Sequence, residues 1–391
     1  MRFRWLPLMV LAVAVLLTAL FLLPKRKGAE QGRVVSVTEA LGGKPEEGFA
    51  RAAAPRRFEF PADHGPHPGF RTEWWYFTGN LKTAQGRRFG YQLTFFRVAL
   101  KPGHAARSSR WGANEIFMAH FAVTDVAGKR FHYAERFSRA ALGLAGAGEN
   151  PLAVRLEDWS ALETLANPWS MHLAARDGDV AVDFTARSIT PVVLNGEGGL
   201  SRKGSEPGNA SYYYSMPRME TSGTIRIGTE TFSVSGLSWL DREWSTSALE
   251  PNQAGWDWFA LQLDDGRDLM FYRLRRSDGT SDPFSCGTLV AADGLIRHLA
   301  GEEVQLAIDD WWTSPASGSR YPSRWRLRVP AEGLDLVIVP RLADQELLAS
   351  VRYWEGAVAV KGITAGSPGG SGYVEMTGYG ATEKKGSDLR P

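Results

Sequence analysis

An all-β fold is predicted on three observations. Past residue 58 the chain repeatedly alternates polar and apolar residues with a period of two, as in "YQLTFFRV" (Tyr91 to Val98) and "LDLVIV" (Leu334 to Val339). That is the pattern of strands with one face toward a core. Turn signals such as "AQGRR", "DVAGKR", "RDGD", "DDGRD" and "AADG" separate these runs at short intervals, the layout of antiparallel sandwiches or barrels. The third observation is an internal echo. "EWWYFTGNLKTAQGRRFGYQLTFFR" (Glu73 to Arg97) can be laid on "GWDWFALQLDDGRDLMFYRLR" (Gly255 to Arg275), so that Trp74 corresponds to Trp256, Tyr76 to Trp258 and Phe77 to Phe259. Such self-similarity implies two copies of one β unit.

Taken from the amino terminus, Arg2 and Arg4 precede an apolar run from Trp5 to Leu23, which "PKRK" closes. A cleavable signal usually carries an apolar core of about 7 to 15 residues before a small-x-small site, and a spanning helix needs about 20. Residues 1–27 are therefore a signal peptide or a membrane anchor. Either places the rest of the chain outside the cytoplasm, in the periplasm or on the outer face of the cytoplasmic membrane. Basic residues flank both ends of the run, so they do not set its orientation. Residues 28–57 are rich in Gly, Ala, Glu and Arg without periodicity and read as a flexible tether. Folding is expected to begin near Phe58. Further strands are expected at "VAVDF" (Val180 to Phe184), "GTIRIG" (Gly223 to Gly228) and "RWRLRV" (Arg324 to Val329). Only "LEDWSALE" (Leu156 to Glu163) and "LADQELL" (Leu342 to Leu348) are helix-like.

Composition narrows the function. The chain has 391 residues, 43% hydrophobic and 23% charged, which is enough for a sizeable core and for two domains. The net charge of +2 comes from 45 basic and 43 acidic side chains scattered along the chain, without the basic stripe that nucleic acid needs. Cys286 is the single cysteine, so no intrachain disulfide and no cysteine-based metal site can form. It reads as a small buried apolar residue.

"EWWYFTGNL", "FMAHFAVTD" (Phe117 to Asp125), "SYYYSMPRM" (Ser211 to Met219), "GLSWLDREWSTSAL" (Gly236 to Leu249), "GWDWFALQL" and "GYVEMTGYG" (Gly372 to Gly380) follow one another in order. On these motifs the chain, from about residue 58 to 385, resembles the AttH-like, carotenoid 1,2-hydratase (hydroxyneurosporene synthase) family of two-domain lipocalin-like proteins. The resemblance implies two tandem calycin-like antiparallel barrels, over residues 58–249 and 250–385. In such barrels a tryptophan at the start of the first strand plugs the closed end, the place expected for Trp74 and Trp256. The resemblance also implies water addition to the terminal double bond of an acyclic carotenoid without a cofactor. In that reaction an aspartate protonates the alkene and aromatics stabilise the cation.

That chemistry needs a carboxyl buried among apolar groups that raise its pKa, π faces within about 6 Å of the cation and an apolar tunnel. "SWLDREW" supplies Asp241 between Trp239 and Trp244, and by motif order Trp239-x-Asp241 resembles the hydratase's aromatic-x-Asp pair. Tyr212 and Tyr214 fall where a His-x-Trp pair is expected, so the aromatic surface persists and a proton shuttle is lost. Arg242 follows Asp241 directly. If alternation holds it points to the opposite face, and if it pairs with Asp241 the acid becomes a structural carboxylate. Glu73 and Glu243 each adjoin a tryptophan and form either an acid/base pair or part of an ion network with Arg71, Arg97 or Arg242. His120 is a core histidine or faces a ligand. Trp75, on the face of Glu73, and Arg97, His120, Glu243 and Trp244 complete the candidate ligand contacts. His64 and His67 form a lone His-x-x-His, weak as a metal signal.

No Gly-x-Ser-x-Gly elbow, His-Glu-x-x-His motif or phosphate loop is present in the sequence. Two functions stay open. One is a cell-envelope protein that binds an apolar, lipid or isoprenoid-like ligand and adds water to its double bond. The other is a non-catalytic lipid carrier that serves an ABC transporter of the lipoprotein-release type, a partner the family resemblance implies.

Overall fold

The structure is a computed structural model that describes residues 35–36, 47–103, 109, 111–246 and 249–380. The expected signal or anchor, residues 1–27, lies outside the described residues. Among those described, all regular structure is β apart from three short 3-10 turns. The strands fall into two sheets.

The first sheet contains β2 (Thr72–Lys82), β3 (Arg88–Ala99), β4 (Glu115–Asp125), β5 (Arg130–Arg139), β6 (Ala145–Glu149), β7 (Leu152–Leu156), β8 (Trp159–Thr164), β9 (Ser170–Asp177), β10 (Val180–Ser188), β13 (Ala210–Ile227) and β14 (Glu230–Ser245), with the short β11 (Val193–Leu194) and β12 (Leu200–Arg202) beside β13. Its order is β5-β4-β3-β2-β14-β13-β10-β9-β8-β7-β6. Arg136 of β5 bonds Asp158 and the carbonyl of Arg176 across the gap between the edges, so the sheet nearly closes into a barrel.

The second sheet contains β15 (Gln253–Leu263), β16 (Asp268–Arg276), β17 (Cys286–Val290), β18 (Ile296–Ala300), β19 (Gln305–Thr313), β20 (Arg320–Val329), β21 (Leu334–Pro340), β22 (Glu346–Leu348), β23 (Val351–Gly362) and β24 (Gly370–Met376). Its order is β18-β17-β16-β15-β24-β23-β21-β20-β19, a half-barrel. The short β1 (Val35–Ser36) pairs in parallel with β23.

The echoing segments are β2-β3 and β15-β16, the first hairpin of each sheet. Their turns place Gly86 and Gly266 at φ of 86° and 93°, the left-handed region that a residue with a Cβ adopts only at a cost. Phe77 and Phe259 enter the cores of their own barrels. Tyr76 and Trp258 point the other way, into an apolar cluster where the two sheets pack face to face.

The interior of the first barrel is filled by fully buried rings and aliphatic chains, among them Trp75, Phe77, Tyr91, Phe121, Trp159 and Phe184. Alternation on β13 changes phase once. Tyr212, Tyr214 and Met216 point inward, and a bulge between Met216 and Met219 returns Met219 and Ile225 to the core. Pro217 sits in that bulge, where its missing N–H costs no ladder bond.

Two expectations are corrected. Trp74 and Trp256 do not plug the barrels: both lie, partly buried, in the apolar clusters between the sheets. It is Trp75 that enters the first barrel. The expected tether is packed over residues 47–57, where Phe49 and Ala52 are buried. There the Ala50 and Ala54 carbonyls accept bonds from Thr246 and Tyr212.

Candidate functional site between the sheets

β2 and β14 pair antiparallel with Glu243 opposite Trp74, Asp241 opposite Tyr76 and Trp244 opposite Glu73. Side chains alternate across a sheet, so this register sorts the candidates onto two faces. Glu73, Trp75, Arg242 and Trp244 point into the barrel. Trp74, Tyr76, Trp239, Asp241 and Glu243 point at the second sheet.

The inner set is an ion network. Glu73 accepts bonds from the Arg97 and Arg242 guanidiniums and from the backbone N–H of His67, and all three charged side chains are fully buried. Burial alone would raise the Glu73 carboxyl, but Arg242, His67 and Arg97 outweigh it and hold it far below the usual range. Arg242 lies 3.9 Å over the Trp75 ring and donates to the Gly65 carbonyl at 2.5 Å. Arg97 also bonds Glu115 and the carbonyls of His67 and Phe70. The His67 ring stacks on Trp244 at 3.7 Å. His64 Nδ1 meets Tyr214 Oη at 2.7 Å, and burial beside Arg242 lowers its imidazole to about 4.

The outer set is short of cations. Asp241 accepts from Ser215 Oγ and Trp239 Nε1, each at 2.6 Å, and from Tyr213 Oη, which in turn accepts from Trp258 Nε1 at 3.1 Å. Burial, helped by Glu243, pushes Asp241 up to about 7 against these three bonds. Arg242 contributes nothing here because it turns to the opposite face. Trp239 and Tyr76 both pack against the Trp258 ring, the latter edge-on at 5.1 Å. Glu243 accepts from Ser211, with Lys203 Nζ at 3.4 Å.

On the facing sheet, Glu355 and Glu375 stand directly opposite one another on β23 and β24. Tyr76 Oη donates to Glu355 at 2.5 Å and Trp256 Nε1 to Glu375 at 2.7 Å. Burial and Glu375 raise Glu355 well above the usual carboxyl range, and burial raises Glu375 to about 7. Trp74, Trp256 and Glu375 keep some exposed surface while their neighbours Tyr76, Asp241 and Glu355 are buried. A separate surface groove of about 380 Å³, lined by Lys82, Gly86 and Ser235 among others, lies six residues along β2 from Tyr76.

The structure thus brings together Asp241, Trp239 and Glu243, and it separates them from Glu73, Trp75, Arg97 and Trp244. Glu73 does not reach Asp241, and it does not pair with Glu243, because odd and even positions of these strands face opposite ways. For the same reason Tyr212 and Tyr214 do not flank Asp241. They line the barrel beside Trp244, and the tyrosine on Asp241 is Tyr213. His120 points outward to the second sheet, with Nδ1 2.6 Å from Tyr353 Oη and Nε2 3.3 Å from Glu135. Cys286 is only half-buried, its thiol 3.0 Å from Tyr272 Oη.

Sequence reasoning missed Tyr213, Ser215, Glu355 and Glu375. A signal for the glutamates existed: each is a lone acid in an apolar strand, "RYWEGAVAV" and "GYVEM", where a charge is rarely placed without a task.

Comparison with known proteins follows the same lines. No curated protein matches the chain significantly. A crystal structure of an AttH protein from Nitrosomonas europaea is 36% identical, covers 85% of this chain and 100% of its own, and superposes with a TM-score of 0.75. Kievitone hydratase from Nectria haematococca is 17% identical over 84% of this chain and 95% of its own, with a TM-score of 0.62, and shares the fold. Residues 51–379 match the AttH-like family model, and the chain belongs to the AttH-like family.

Proposed function

We propose that the protein is a hydratase-type enzyme that adds water to a carbon–carbon double bond of an apolar, isoprenoid-like substrate held between the two sheets. Asp241 is its acid. The observation that carries this reading is a carboxyl buried against Trp239, Tyr213 and Trp258, without an arginine, and poised to titrate near neutrality. A general acid works best when its pKa lies near the operating pH. The surrounding rings offer π faces to a carbocation, and the partly exposed Trp74 and Trp256 add apolar surface between the sheets. The likeness in fold to a kievitone hydratase supports the same reading. The apolar run Trp5 to Leu23 supports a place at the cell envelope.

The test is incubation of the purified protein with lycopene, an acyclic isoprenoid polyene, and separately with kievitone, in oxygen-18 water. Labelled oxygen in the product is expected with wild type, and Asp241→Asn should lower its rate by about 100-fold or more. Co-purification of an intact lipid without labelling of either probe would favour the carrier reading.

A further inference from the structure

Acid-catalysed hydration needs a second group. Protonating the alkene consumes one proton, and the attacking water must give one up. Asp241 can do the first. The second calls for a carboxylate on the other side of the substrate, on the sheet that faces Asp241.

The second sheet supplies a pair suited to this. Glu355 and Glu375 face each other across adjacent strands, where two like charges destabilise a sheet. No donor reaches Glu355 Oε2, although the side chain is fully buried. The carboxyl set against it is that of Glu375, so two acceptor oxygens meet unless one carries a proton. Of the two, Glu355 meets only the Tyr76 hydroxyl and has one oxygen without a partner, so it is the member assigned the proton. Glu375 is then the ionised member, steadied by Trp256 Nε1 and less completely buried than Glu355. Two aromatic bridges tie the pair to Asp241. Tyr76, opposite Asp241 in the ladder, donates to Glu355, and Trp258, opposite Glu375, donates to the tyrosine that donates to Asp241.

We propose that Glu355 and Glu375 form a proton-sharing pair that serves as the general base, so that one sheet supplies the acid and the other the base of a single hydration. The proposal rests on the reading of Asp241 as the acid. In the forward step the Asp241 O–H bond breaks as a C–H bond forms at the alkene. Water oxygen then bonds the cationic carbon, and one water proton passes to Glu375. Asp241 is left ionised and the pair holds two protons. Water entering as product leaves carries the extra proton away and returns one to Asp241, so the cycle closes without oxidant or cofactor. Dehydration runs through the same groups in reverse.

Two measurements on the full chain test this. Infrared spectra of protein with carbon-13 glutamate should show a protonated glutamic acid carbonyl that persists at pH 8 in wild type and vanishes in Glu355→Gln. Glu375→Gln should lower oxygen-18 incorporation into lycopene about 100-fold, with unchanged near-ultraviolet circular dichroism. The proposal is overturned by the absence of that band in folded wild type, or by full turnover in Glu375→Gln. A wild type that carries the band yet labels neither probe would instead overturn the hydratase reading.

Discussion

Inside the first barrel Glu73 meets Arg97 and Arg242, whereas on the other face of the same sheet Asp241 meets only hydroxyls and an indole. The second sheet repeats the contrast. Its inner carboxylate, Asp257, is held by Arg273, Arg275 and the Tyr379 hydroxyl, while its outer glutamates meet Tyr76, Trp256 and each other. Guanidinium pairing fixes a buried carboxylate in one charge state and makes it structural. Burial without a cation leaves both protonation states within reach, the condition for proton transfer. One chain thus holds buried acids of two kinds, Glu73 and Asp257 bound to guanidiniums as girders, and Asp241, Glu355 and Glu375 without one, the kind the proposed hydration needs.

Breaking the girder should have the largest effect. Glu73→Gln leaves two fully buried guanidiniums without a counter-charge, at a cost of about 3 to 5 kcal/mol in urea unfolding. Asp257→Asn should cost less, roughly 2 to 3 kcal/mol, because Arg273 and Arg275 keep some exposure, 13% each, and can turn to water. A pH series sharpens the contrast further. Asp241 has its folded pKa raised from 3.8 to about 7, so the native state holds this proton more tightly than the unfolded chain does. Its contribution to stability is full below about pH 4 and is lost as pH rises through 7. Glu73 has the opposite sign, since its folded pKa is lowered: its contribution is present above its ordinary value of 4.5 and is lost as pH falls through the low folded value. Between pH 4 and 8 Asp241→Asn should therefore gain on wild type by roughly 4 kcal/mol, about three pKa units at about 1.4 kcal/mol each, measured as unfolding free energy at each pH. The smallest effect is Asp241→Asn at pH 7, where stability should stay within about 1 kcal/mol of wild type while hydration fails. A large loss there would make Asp241 a girder too.

Much of the architecture was legible because alternation and turn chemistry are local. "YQLTFFRV" and "LDLVIV" are strands, and the echo marks the first hairpin of each sheet. Local pattern fixes which residues share a face, but not which face turns inward. The composition of "EWWYFTGNL" nevertheless held that answer. Phe77 and Leu81 are purely apolar, whereas Tyr76, Thr78 and Asn80 carry polar atoms that a second sheet can satisfy, as Tyr76 and Asn80 show. Assigning Trp74 to the barrel followed the family pattern over this difference. Asp241 with Trp239 was legible as a motif. Glu355 and Glu375 were not placed with it, because nothing in a linear pattern announces that a sheet from the other half of the chain will cover those strands.

The parity of β2 and β14 has one more consequence, for how this protein can change over generations. Inserting or deleting a single residue between Thr72 and Glu73 would exchange the two faces, sending Glu73 toward the second sheet and Tyr76 into the barrel. Glu73 would lose both its guanidiniums, and Tyr76 its bond to Glu355. These strands can therefore drift by substitution but hardly in length, and divergence in size among descendants should gather in the connections, where a shifted count of residues does not change the reading frame of the sheet.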